Sequence, residues 1–132
     1  MLPLVIIRAG GIPGQAVDHY NRGVDLQAEF KFSEAIEEYD KAIEIHPEFM
    51  EAYCNRAMCH GALGNLDQAL ADASSAVELA PSDPHSYYVR GLAYADKGVN
   101  DRAIADLQKA LDLGLGGMEE ALATSILEQL GS

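Results

Sequence analysis

Four histidines, two cysteines and several adjacent acids are the side chains of this 132-residue chain with chemical potential. The histidines are His19, His46, His60 and His85. No two stand four apart on one helix, the spacing that a helical zinc site commonly uses. Cys54 and Cys59 fall in one expected helix, about 140° apart around its axis, so they cannot pair with each other. His60 stands in a column that packs between helices and reads as a core histidine; its neighbour Cys59 reads as a small buried hydrophobe. His46 precedes Pro47 at a helix end, where an imidazolium favours the dipole. Glu37-Glu38 and Glu119-Glu120 point in different directions around a helix and read as solvated faces. The glycine-rich stretches Gly10–Gly14 and Gly114–Gly117 lack the preceding strand and the following lysine of a phosphate loop, so they read as linker and break. No nucleophile elbow occurs. The expectation is a non-catalytic chain with no metal and no cofactor.

One charged pattern carries a structural expectation. Arg22, Arg56 and Arg90 recur, and sixteen residues after each come Glu38, Asp72 and Asp106. With a hairpin turn midway, each pair should lie at one level across two helices. An Arg–carboxylate bridge is expected in every repeat, bidentate where partly buried. Its role would be structural, since removing one partner strands a charge.

The elements that place these residues follow from a period of 34. Ala35, Ala69 and Ala103 keep that spacing, as do Ala42, Ala76 and Ala110, and the small residues Gly23, Ala57 and Gly91. Three units follow without insertion, 16–49, 50–83 and 84–117. Each reads as two helices: the first at about 16–29, 50–63 and 84–97, the second at about 33–46, 67–80 and 101–113. Ser33, Asp67 and Asp101 are candidate N-caps. Gly64 and Gly98 suit a left-handed helix end, while Phe30-Lys31-Phe32 is a less usual connection. Pro47 and Pro81 stop the second helices. Gly23 and Ala35 sit near one level of a hairpin and let its helices approach. Ile36, Tyr39, Ile43 and Ile45 give the second helices an apolar face, which only stacked neighbours can bury. A last helix at 118–130 should cover the end of repeat three with Met118, Leu122, Ile126 and Leu130.

Nine Lys and Arg against twenty-one Asp and Glu give a net charge of −12, which excludes nucleic acid and anionic lipid as ready partners. No apolar run reaches the ~18 residues of a membrane span. The absence of a disulfide framework suits a reducing compartment and a cytoplasmic location. Met1–Arg8 is apolar but poor as a signal peptide. Residues 1–15 read as the remnant of a longer chain or as an extended arm. Such an arm, through Leu2–Ile7, could fill its own groove or a neighbour's and make a homodimer.

A 34-residue helix–turn–helix unit with these columns resembles the tetratricopeptide repeat over 16–117, and 118–130 resembles that family's capping helix. The family's first-helix aromatic is matched by Tyr53 and Tyr87 but by His19 in unit one. Its first-helix tyrosine is kept as Tyr94 and replaced by Leu26 and His60. Its large second-helix residue is Tyr39, then Ala73, then Leu107; Ala73 is expected to loosen packing around repeat two. Its closing proline gives way to Leu115 in the last unit, where the array is expected to end. The resemblance implies an all-α, right-handed superhelical solenoid of antiparallel helix pairs, about seven helices in all. It implies first helices lining a concave groove that binds a peptide or protein. The groove positions would be Val17, Tyr20, Asn21, Val24 and Gln27; Glu51, Cys54, Asn55, Met58 and Ala62; and His85, Tyr88, Val89, Leu92 and Asp96. Members that clamp a C-terminal carboxylate use lysines, an arginine and asparagines. Of those positions only Asn55 matches here, with Tyr20, Val24, His85 and Val89 at the others. An apolar or amphipathic segment, with or without a few cations, is therefore the expected ligand rather than an acidic tail. The chain reads as an adaptor, or alternatively as the partner-recognition domain of a larger enzyme or secretion complex.

Overall fold

The computed structural model describes residues 11–131, which form seven α-helices. They are α1 (Gly14–Ala28), α2 (Phe32–Ile45), α3 (Met50–Ala62), α4 (Leu66–Leu79), α5 (Pro84–Asp96), α6 (Asn100–Asp112) and α7 (Gly117–Leu130). Helix α1 begins at Gly14, so the last two residues assigned to an N-terminal arm are helical. The arm's apolar part, Leu2–Ile7, lies outside the described residues, and with it the expected dimer contact.

Consecutive helices pack as pairs, α1 with α2, α3 with α4 and α5 with α6, and each pair stacks on the next. The alanine columns are the seams: Ala35, Ala69 and Ala103 are buried, as are Ala42, Ala76 and Ala110. The close approach expected beside Ala35 instead brings Gly23 against a large residue of α2. A β-carbon on Gly23 would come within 2.5 Å of the Tyr39 ring, and one on Gly91 within 2.8 Å of Leu107. The equivalent positions of repeat two are Ala57 and Ala73, both buried in one core cluster. A small residue on one helix thus matches a large one across the hairpin, and two medium-small residues match each other.

The helix starts differ from expectation. Ser33, Asp67 and Asp101 are the second residues of their helices, and no side chain caps α2, α4 or α6. The N-cap positions fall two residues earlier, at Lys31, Asn65 and Val99. An acid in the first turn still favours the dipole. A side-chain cap is made at α5, where Asp83 accepts from the His85 amide at 2.9 Å and Pro84 opens the helix.

The last helix seats only part of the expected face, with Ile126 turned inward as expected. Ala123 is buried, and Ile126 and Leu127 pack on the core cluster of repeats two and three. Met118 is 80% exposed and Leu122 is exposed too. The seated stripe is spaced i, i+3, i+4, and its small residue brings α7 close where Met118 or Leu122 would hold it away. Among the described residues, no helix is long and apolar enough to cross a membrane.

Candidate binding groove

The first helices of successive repeats touch, α1 with α3 and α3 with α5, whereas the second helices make no comparable contact with one another. The stack therefore curves with its first helices inside. Along this inner face Val24, Met58 and Leu92 hold one position of the repeat, 34 apart. Val24 and Met58 are exposed and Leu92 is half-buried. Asn21 is exposed on α1, and its side chain forms no hydrogen bond with other described residues.

Other expected groove residues are engaged within the protein. The Asn55 amide donates to the Tyr20 hydroxyl at 3.0 Å, joining repeats one and two. The Tyr20 ring lies 4.9 Å from that of Phe49 and 5.8 Å from that of Tyr39. Gln27 accepts from the Tyr39 hydroxyl at 2.7 Å. His85 lies 2.9 Å from Glu119 of α7. Tyr88, Cys54 and Val89, expected on the groove surface, are instead buried between repeats two and three; Tyr88 is 4% exposed. Inner positions that also face the next hairpin are claimed by that contact, because repeat stacking is what buries the core. Burial pushes the Cys54 thiol up to about 12 and the Cys59 thiol up to about 11, so neither supplies a thiolate near neutral pH.

The three arginines are treated differently. Arg56 grips Asp72 through Nε and Nη2, each at 2.8 Å, and its Nη1 reaches Asp40 of the preceding repeat at 2.8 Å. Arg90 holds Asp106 through Nε at 2.7 Å and Nη2 at 2.9 Å. Both guanidinium groups lie over tyrosines, Arg56 over Tyr53 at 5.5 Å and Arg90 over Tyr87 at 5.7 Å. The bond to the aspartate raises the pKa of each arginine, so both stay charged. Repeat one departs from the expected bidentate pair: Arg22 comes no nearer than 3.8 Å to Glu38. Glu38 pairs with His19 at 2.8 Å, and this bond, helped by Lys41, lowers its pKa. A histidine where repeats two and three carry tyrosine removes the ring beneath the arginine and offers the carboxylate a nearer partner.

A pocket of about 240 Å³ opens on the inner face between α3 and α5. Ala57, Val89 and Ala93 form its buried floor, Met58 and Leu92 its sides, and Asp96 stands at one end. Sequence reasoning placed several of these residues in the groove but missed Gly61, which also lines the pocket. A second glycine in the last turn of a helix that Gly64 already terminates was the available signal.

Three repeat models match the chain: tetratricopeptide repeat models over 51–83 and 84–113, and a TPR repeat model over 31–64. No curated protein matches. Among solved structures, the first TPR of Spaghetti (RPAP3) bound to the HSP90 peptide SRMEEVD is 26% identical, with a TM-score of 0.83 over 91% of this chain and 94% of that one. The second TPR domain of human RPAP3, in complex with the HSP70 peptide SGPTIEEVD, is 26% identical with a TM-score of 0.80, covering 89% and 96%. The Sgt2 TPR domain from Aspergillus fumigatus has the same fold at 23% identity, with a TM-score of 0.83 over 92% and 80%. The 34-residue columns, the stacked helix pairs and these matches agree that the chain belongs to the tetratricopeptide repeat family.

Proposed function

We propose that this chain is a non-catalytic protein-interaction module whose inner face binds an apolar or amphipathic segment of a partner. The observation that carries this reading is the line of Val24, Met58 and Leu92, one apolar side chain per repeat, open along the face where the first helices meet. Apolar side chains aligned on a soluble surface mark interaction sites, and a partner helix or strand laid along them would bury all three.

The RPAP3 domains take acidic peptides. The inner face of this chain is poorly suited to an acidic tail. Asn55 is committed to Tyr20 and His85 to Glu119, and Arg56 and Arg90 are held by aspartates. Glu51 and Asp96 stand on the same helices, so an incoming carboxylate meets repulsion there. Unpaired, protonated thiols fit a reducing, cytoplasmic setting.

The test compares wild type with a Val24→Glu, Met58→Glu, Leu92→Glu variant, shown to be folded by circular dichroism, as bait for partners from source-cell lysate. A partner held only by wild type supports the reading; equal retention by both moves the site to another face. Labelled SRMEEVD peptide should bind no tighter than about 1 mM; micromolar binding would instead make this an acidic-tail receptor.

A further inference from the structure

We propose that the pocket between α3 and α5 receives one apolar side chain of the partner segment while Asp96 pairs with a lysine or arginine beside it. This rests on the inner-face reading above and adds the chemistry of what is recognised.

The pocket's volume, about 240 Å³, falls below that of sites for drug-sized ligands and suits a single side chain. Its emptiness is not forced by helix packing. Gly23 and Gly91 are needed where they stand, because a β-carbon there collides with Tyr39 or Leu107. Gly61 is different: a β-carbon would meet only Asp96 Oδ2, at 3.8 Å, an ordinary contact. What the missing side chain of Gly61 leaves is open space in the pocket.

Asp96 is the second observation. Its carboxylate makes no ion pair or hydrogen bond with another described residue. Its neighbour Lys97 is engaged by Asp67. Partial burial raises the pKa of Asp96, a sign that its charge lacks compensation. It is also the last residue of α5, near the end of α3 at Ala62, so its carboxylate adds to the negative ends of two helices. An acid at that end is unfavourable within the protein and favourable toward an incoming cation. Beyond Asp96 the surface continues as a polar depression with Asn65, Asp67 and Gln68, a path for the hydrophilic remainder of such a segment. The net charge of −12 would steer a cationic segment toward the chain. The equivalent position is Ala62 in repeat two and Ala28 in repeat one, so the charge marks one end of the apolar line.

The experiment follows amide shifts of the isotope-labelled chain at low salt with three capped peptides in a Gly–Ser frame. They carry Leu beside Arg, Leu beside Glu, and Gly beside Arg. The Leu–Arg peptide should move the signals of Met58, Gly61, Leu92 and Asp96 and bind about fivefold more tightly than either of the others. Asp96→Asn, at an exposed carboxylate, should remove most of the advantage of Leu–Arg over Leu–Glu. If Leu–Arg and Leu–Glu bind the inner face equally, or Asp96→Asn changes nothing, the charge recognition is wrong and the inner-face reading stands. If the shifts fall on another face, or none appear with any peptide, both are overturned.

Discussion

In repeats two and three an arginine of the first helix reaches across the hairpin to an aspartate with two hydrogen bonds. In repeat one the same column ends in Arg22, whose side chain is 61% exposed and lies 3.8 Å from Glu38. The turns differ in the same direction. Gly64 and Gly98 adopt φ of +81° and +79° at their helix ends, and Phe30 adopts +62° at the equivalent place with its ring 78% exposed. The packing column differs again: Gly23 lies under Tyr39, where repeat two sets Ala57 and Ala73 in one cluster. One backbone is therefore secured by charge in the later repeats and by a large buried ring in the first. A repeat sequence is read correctly only as a set of mutually adjusted positions, since each substitution changes what its neighbour must do.

The largest test of that contrast is removal of the carboxylates. Asp72→Ala should cost about 3 kcal/mol, because the mostly buried Arg56 loses two hydrogen bonds and keeps only the single one to the more exposed Asp40. Glu38→Ala should cost less, about 1 kcal/mol, because the arginine it leaves, Arg22, is 61% exposed and keeps its hydration. Urea unfolding of both variants gives the comparison, and equal losses would mean that the two geometries do not differ in energy.

Next in size is the packing column. Gly23→Ala should cost about 2 kcal/mol, since the new methyl meets a ring already fixed by burial and by its bond to Gln27. Ala57→Gly should cost only the helix-propensity difference, about 1 kcal/mol. A Gly23→Ala variant as stable as wild type would show that Tyr39 can give way.

The smallest effect has the opposite sign. Phe30→Gly should stabilise the fold by roughly 0.5 kcal/mol, the relief of left-handed strain less the added freedom of the unfolded chain. A thermal melt measures it. A lower melting temperature would mean that the edge contact between Phe30 and Phe32, at 6.0 Å, outweighs the strain.

The repeat period, the number of helices and their ends to within about two residues were legible in the chain, because apolar periodicity and helix-breaking residues act locally. The arginine–carboxylate spacing was legible for the same reason, since a hairpin of known length fixes which residues share a level. What stayed hidden depends on contacts between hairpins. Tyr88 and Cys54 have the periodicity of groove residues and are buried because the next hairpin sits on them. Met118 and Leu122 have the apolar spacing of a seated face and are exposed because α7 settles on its smaller stripe. His19 takes Glu38 from Arg22 through geometry that no spacing announces. The uncompensated charge of Asp96 appears only once α3 and α5 end side by side. Local periodicity determines which helices form, while competition among side chains at the stacked interfaces decides which surfaces remain for a partner.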